Sequence, residues 1–441
     1  MTKITFYGGI KEIGGNKILI ESKEAKVFFD FGQSFSLLDE FFVPEAYLSP
    51  RNRFGLRDYF ALNLIPKLKG LYSKDALKHT EIVYSEPEYD AIFLSHPHMD
   101  HFSHLEYIDP KIPVYMGETT ERILRSTQKT TRTKIFYDDS DIKHFRTGNR
   151  ISIGDLEISP IHVDHSVPGA YGFLIDSGEK RIVYSGDLRS HGKKPKMTED
   201  FVNASKTFEP DVLIIEGTRV SKKETRKNHT ENFVETESKR IVNNNKGLTL
   251  GMRYPKDLDR FQTFYSTAKE NGKELVISPK TANLLLYLKD DPIGLPDPIK
   301  DETIKIYNRE KLKYNDWEKE LQTHCIDSEY IRQNQSNIIL ELDSYYMAEL
   351  IDIKPEKGEI IHSMSEPFEE DPVSAMVDNV LRNWAETFNM TYNQLHASGH
   401  ASKEEIFKMV EEIKPKKVIP VHTKNPNLFK KTVIETILVK K

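Results

Sequence analysis

Short apolar runs bounded by turn residues dominate the first half of the chain. Lys3 to Tyr7, Lys17 to Glu21, Lys26 to Asp30, Ala91 to Leu94, Ala170 to Asp176 and Arg181 to Ser185 are rich in β-branched and aromatic side chains, which predicts strands. Between Phe31 and Pro87 the pattern has no clean period and is broken by proline; the expectation is an elaborate loop with short helices that shapes a site or an interface. After the apolar run Val212 to Ile215 the pattern changes. Ser221 to Arg240 is heavily charged and reads as a solvated helix, and then Gly247 to Met252, Asp257 to Glu270, Glu274 to Ser278 and Thr281 to Lys289 alternate strand, helix, strand, helix, as a parallel α/β unit does. The tail goes back to the pattern of the first half, with a helix over Ser402 to Ile413, opened by the capping-box pair Ser402 and Glu405, and a strand over Lys417 to Val421. The domain expectation is a first part over 1–216, an inserted α/β unit over 217–385 and a return to the first unit over 386–441.

Composition narrows the setting. A chain of 441 residues can bury two cores, or one core with a large insertion. The lone cysteine, Cys325, excludes an intramolecular disulfide, so a cytoplasmic location is expected and a metal site must be built from His and Asp. Met1 to Phe6 lacks the pattern of a secretory signal and no run reaches transmembrane length, so no membrane anchor is expected. The formal charge of -5 gives no general basic coat, although an active-site groove can concentrate a few cations locally.

The strongest chemical signal is Ser95-His96-Pro97-His98-Met99-Asp100-His101, directly after the strand Ala91 to Leu94. Three His and one Asp on one tight loop at a strand end offer nitrogen and oxygen ligands suited to zinc at ~2.0–2.2 Å. This H-x-H-x-D-H string resembles the signature of the metallo-β-lactamase superfamily. Its further pattern matches in order: Asp30 after Val27-Phe28-Phe29, His165 in His-Ser-Val-Pro-Gly, and Asp187 in Ser-Gly-Asp-Leu-Arg. His162 competes with His165, while Asp164 and His104 are expected to be supporting or structural groups. Glu216 in Ile-Ile-Glu-Gly-Thr, His396-Ala397-Ser398-Gly399-His400, and His422 closing Val-Ile-Pro-Val-His resemble the motifs of the β-CASP nucleases. Gly8-Gly9-Ile10-Lys11-Glu12-Ile13-Gly14-Gly15-Asn16 and the His396 to Ala401 string are similar to ribonuclease J and its relatives.

The resemblance implies a metallo-β-lactamase αββα sandwich with an inserted α/β β-CASP domain, and a hydrolase acting on phosphodiester bonds of nucleic acid. It implies two Zn2+ per chain: one on His96, His98 and His165, the other on Asp100, His101 and His422, with Asp187 bridging and Asp30 orienting the His loop. Two such ions ~3.5–4 Å apart activate water against phosphorus, with Asp100 placed to steady that water. His400 paired with Glu216 is the expected proton donor to the leaving sugar oxygen, with phosphate positioning as its alternative role; Ser398 and Gly399 are expected to contact phosphate, and His396 to contact phosphate or to support the site from behind. Single-stranded RNA is the favoured substrate, and the oligomeric state stays open, with a dimer as the named option. The rivals are a DNA or small-molecule ester hydrolase on the same metal site and a non-catalytic subunit of an RNA-processing complex. Two departures from the resemblance stand out. The sequence stops soon after His422, so the extra C-terminal domain is expected to be absent, and Thr-Lys-Asn follows that histidine where Gly-Glu is usual.

Overall fold

In the computed structural model, which describes residues 1–441 apart from 44–47, 132, 225, 367–371, 430–437 and 440–441, two sheets face each other and a third carries the insertion. The first sheet contains β1 (Lys3–Gly8), β2 (Lys17–Glu21), β3 (Lys26–Phe29), β4 (Ala91–Phe93), β5 (Val114–Gly117) and β6 (Ile142–Phe145). The second is built from β7 (Ile151–Ile153), β8 (Leu156–His162), β9 (Tyr171–Asp176), β10 (Arg181–Tyr184) and β11 (Val212–Glu216). β12 (Leu248–Met252), β13 (Glu274–Ile277), β14 (Ile304–Tyr307), β15 (Cys325–Ile326), β16 (Ile338–Glu341), β17 (Gly358–His362) and β18 (Met390–Gln394) form the third sheet, in the order 15-14-13-16-12-17-18. All of its pairings are parallel. The chain then returns: β19 (Lys417–Val421) pairs with β11 at the edge of the second sheet, and β20 (Leu438–Val439) pairs with β1.

The strand period sorts the side chains into layers. Ile18, Ile20, Val27, Phe29, Ala91 and Phe93 point inward and meet Phe173, Ile175, Ile182 and Ile214 of the second sheet in one buried cluster. Their alternates Leu19, Phe28 and Ile92 point outward, as alternation along a strand requires. Those outward residues are covered by Leu56, Tyr59, Phe60, Leu71 and Tyr72 of the long segment after β3. That segment, expected as an elaborate loop, carries the short helices Phe35–Asp39, Arg57–Ala61 and Lys74–Leu77 and serves as the outer layer of the first sheet. The outer face of the second sheet is covered by the helices Pro195–Phe208 and Lys403–Ile413. This is the expected αββα sandwich with an inserted α/β unit.

One expected element shifts. Among the described residues 221–229 is irregular, and the helix runs Glu231–Asn244 behind the Thr230 cap. Val234, Ser238, Ile241 and Val242 give that helix a buried face, whereas Ser221 to His229 has no apolar residue with which to dock. The insertion packs on the first unit through the helix Glu118–Thr130, where Ile123 joins Leu284 and Leu285 in one cluster and Ser126 Oγ donates to Asn283 at 2.9 Å.

The turn after β3 fixes the His-rich loop. Phe31 N donates to His101 O at 2.7 Å and His104 N to Phe31 O at 3.1 Å. Gly32 lies so close to the short helix Met99–Phe102 that a Cβ there would sit 1.9 Å from the Asp100 carbonyl carbon and oxygen. A clash with backbone has no rotamer that relieves it. Gly32→Ala is therefore expected to destabilise the chain by about 3 kcal/mol or more and to displace Asp100 and His101. The checks are urea unfolding and zinc content of the purified variant, and wild-type values of both would refute the account.

Candidate metal centre

Each site residue sits at the end of a strand or at the start of a helix. His96, His98, Asp100 and His101 follow β4, Asp30 follows β3, Asp187 follows β10, Glu216 ends β11, and His422 follows β19. Asp30 and His422 adopt left-handed backbone, with φ of 57° and 54°, a conformation that costs a non-glycine residue energy and persists only where surrounding contacts enforce it. Here they do: Asp30 N donates to Phe93 O at 2.9 Å and His422 N to Gly9 O at 2.8 Å.

The first ligand group is a triangle of ring nitrogens. His96 Nε2 and His165 Nε2 each lie 3.1 Å from His98 Nδ1. The opposite nitrogens are already committed. His165 Nδ1 donates to Gly399 O at 2.5 Å, and His96 Nδ1 faces Ser95 Oγ at 3.0 Å, whose own proton goes to Asp30 Oδ2 at 2.8 Å. The network therefore leaves lone pairs on the two Nε2 atoms, and they converge on one point. Burial holds all three rings well below the ordinary histidine value, His98 at about 3.

The second group joins Asp100, His101, Asp187 and His422. Asp30 is the anchor behind it: its carboxylate accepts from Ser95 N at 2.7 Å, Ser95 Oγ at 2.8 Å, His101 Nδ1 at 2.8 Å and Tyr184 Oη at 2.6 Å. With Nδ1 spent, His101 presents Nε2, a buried atom with no hydrogen-bond partner. His422 is held in the same way, with Nδ1 against Thr218 Oγ1 at 2.8 Å and Nε2 2.7 Å from Asp100 Oδ2. Asp187 Oδ2 lies between the groups, 3.6 Å from His96 Nε2, 3.2 Å from His101 Nε2 and 3.6 Å from His422 Nε2, while Asp187 Oδ1 has no partner at all. Converging lone pairs and orphaned carboxylate oxygen in a buried cleft are stable only around cations. The arrangement is a metal site, and imidazole with carboxylate oxygen is a donor set zinc accepts.

His400 lies beside both groups. Its Nδ1 is 3.0 Å from Glu216 Oε1 and 3.9 Å from Asp187 Oδ2. Glu216 is fully buried and also accepts from Leu188 N at 3.0 Å and Thr218 Oγ1 at 2.8 Å. Gly399 faces His165, and Ser398 Oγ accepts from His400 N at 3.1 Å. His396 is placed differently from a cationic phosphate contact. Its Nδ1 donates to Ser363 O at 3.1 Å and burial lowers its pKa well below the ordinary value, so the neutral ring offers a lone pair rather than a second N–H. His162 stays outside both ligand groups, its ring on Tyr171 with centroids 4.0 Å apart. His104 is packed between Tyr59 and Tyr107 with neither ring nitrogen bonded, and Asp164 pairs with Arg189.

Sequence reading missed Ser95, Thr218 and Tyr184, which aim the ligands. It also missed Arg189, buried and bonded to Glu231 at 2.8 Å, Asp259 at 2.6 Å and Ser398 O at 3.1 Å. Ser95, Thr218 and Arg189 carry a weak local signal, their places inside the strings that hold the ligands; Tyr184 has none.

With this geometry in hand, the comparisons place the chain. Residues 70–267 match the Beta-lactamase superfamily domain and 387–428 the Zn-dependent metallo-hydrolase RNA specificity domain. With the fold, these matches support a metallo-β-lactamase-fold protein of the β-CASP group. Within that group it is ribonuclease J-like. It is 24% identical over 433 residues to ribonuclease J of Helicobacter pylori strain B128, covering 95% of this chain and 55% of that protein. It is 21% identical over 433 residues to ribonuclease J of Mycoplasma pneumoniae, covering 96% and 68%. The chain thus spans about half the length of the Helicobacter relative. A crystal structure of a protein of unknown function from Enterococcus faecalis V583 superposes with a TM-score of 0.76 at 25% identity, covering 98% of this chain and 96% of that one. Among the described residues no helix is long and apolar enough to cross a membrane.

The electrostatics of the second group yield a pH test. Burial pushes His422 down, but the Asp187 and Asp100 carboxylates more than reverse this and raise it to about 9, above the ~6.5 of an unfolded chain. In the metal-free protein the resulting stabilisation is complete below pH ~6.5 and is lost as pH rises through about 9. The melting-temperature advantage of metal-free wild type over His422→Gln is expected to shrink across that window. An advantage that grows with pH would contradict the assignment.

Proposed function

We propose that the chain is a zinc-dependent phosphodiesterase of the ribonuclease J kind, holding two Zn2+ and cleaving single-stranded RNA. The observation that carries this reading is the pair of ligand groups sharing Asp187 Oδ2, with the His400 and Glu216 pair alongside. His96, His98 and His165 would hold one ion and Asp100, His101 and His422 the other, with Asp187 between them. Zinc bound there would lower the pKa of a water and neutralise charge on phosphate oxygens.

The protein's own groups supply the rest. Asp30, Ser95, Thr218 and the Gly399 carbonyl fix the imidazole orientations, so that little reorganisation remains when substrate arrives. Glu216 accepts the Nδ1 proton of His400, which leaves Nε2 directed away from Glu216 and able to carry a proton for a leaving sugar oxygen. A sugar alkoxide is a poor leaving group and needs that proton. Ser398 and Gly399 would border the phosphate.

The reaction is tested by digesting end-labelled single-stranded RNA and DNA bearing a 5′-phosphate or a 5′-triphosphate. Preference for 5′-monophosphorylated RNA, shortened from that end, is the expected result, and exclusive internal cutting of duplex DNA would overturn the substrate assignment. Asp187→Ala is expected to lose bound zinc and activity together while keeping its fold, and full nuclease activity in a zinc-free variant would defeat the two-metal reading. His400→Ala should keep both ions and lose ~10²–10⁴ in rate on RNA, yet cleave a nitrophenyl phosphodiester at close to the wild-type rate, because a phenolate leaves without a proton. Equal losses on both substrates with unchanged zinc would remove His400 from the proton-donor role.

A further inference from the structure

A short segment of the insertion, Arg253 to Asp257, reaches the metal loop; it joins β12 to the helix Leu258–Glu270 at the carboxyl end of a parallel strand, the end at which α/β sheets present ligand-binding loops. This segment is rigidly built. Arg253 Nη1 donates to three of its carbonyls, Tyr254 O at 3.1 Å, Pro255 O at 3.0 Å and Asp257 O at 3.3 Å, while Nη2 binds Thr281 Oγ1 at 3.1 Å and Glu341 Oε2 at 2.6 Å.

Two side chains project from this frame. Lys256 Nζ donates to Pro97 O, between His96 and His98, at 2.8 Å and lies 4.7 Å from the centre of the Phe102 ring. Both partners are neutral. Among the described residues Lys256 has no carboxylate within ion-pair distance, whereas the nearby buried cations Arg189, Arg253 and Arg260 are each paired with Glu or Asp. Tyr254 is 42% exposed, its ring 6.2 Å from that of His396. One preorganised loop thus sets a cation without an ion-pair partner against the His-rich loop and a partly exposed aromatic ring beside His396.

We propose that this loop is a substrate clamp, in which Lys256 contacts a backbone phosphate of the nucleic acid strand entering the metal centre and Tyr254 stacks on a neighbouring base. A point cation and a ring face are what a single strand is gripped by, independent of sequence. The inference rests on the nuclease reading, and binding measurements separate its failure from failure of that reading.

The experiment titrates the zinc-loaded full chain into a labelled, phosphorothioate-linked oligoribonucleotide that resists cleavage, following anisotropy between about 50 and 200 mM salt. Lys256→Met keeps the stem on Phe102 and removes the charge. It is expected to reduce the slope of log affinity against log salt by about 0.7, the single-strand value for one phosphate, with zinc content and melting temperature unchanged. Lys256→Arg should retain the slope, which guards against a folding artefact. Tyr254→Ala should weaken binding roughly 5- to 150-fold, the range for loss of one stacked base, at an unaltered slope. An unchanged slope in Lys256→Met overturns the phosphate contact, and unchanged affinity in Tyr254→Ala overturns the stacking. Wild type that fails to bind RNA at all overturns the nuclease reading itself and the clamp with it.

Discussion

The structure depends on one electrostatic constraint: histidine ring nitrogens and carboxylate oxygens are driven together in a buried cleft, where only positive charge, a metal ion or a protonated ring, holds them. Asp187 Oδ2 lies within 3.6 Å of three ligand nitrogens, a geometry that would be repulsive without positive charge. The scaffold holds it by fastening the far side of each ring. Asp30 accepts four hydrogen bonds and so converts one carboxylate at a strand end into the rigid back wall of the second ligand group.

The insertion is fastened to this centre by charge as well as by apolar packing. Arg189, two residues after Asp187, is fully buried and reaches Glu231 and Asp259 of the insertion and the Ser398 carbonyl. Glu231 is shared with Arg260, which also bonds Ser363 O at 3.1 Å. Removing one member would leave a buried charge unpaired, a far larger penalty than the pair contributes when intact. The network therefore specifies how the insertion docks, and His191 adds to it through Ser398 O at 3.0 Å and Glu405 at 3.1 Å.

Strand positions were legible where alternation and aromatic content coincided. β2 and β19 fall on the residues expected, and β3, β4, β9 and β10 differ from expectation by a residue at an end. The His-rich loop was legible because its chemistry is contiguous. What escaped was long-range. Ser95, Thr218, Tyr184 and Arg189 are ordinary residues whose importance comes from partners far away in sequence, and the charged run before Thr230 imitates a helical surface but lacks a face to bury. The segment after β3 lost its period for a comparable reason: its apolar residues are spaced to cover a sheet rather than to continue one helix.

The pairing of the returning strands has a consequence for how such chains can change in length. β19 lies in register with β11, Val421 beside Glu216, and β18 lies in register with β17, so two ladders deliver the His396 to His400 loop and His422 to the centre. Losing one residue inside either strand would turn its side chains to the opposite face and withdraw a donor. Lengthening a surface connection in the insertion leaves both ladders untouched, and doubling a flexible loop costs only about 0.6 kcal/mol. A change of length in the connections of the third sheet would therefore leave the centre intact, whereas one inside either ladder would dismantle it.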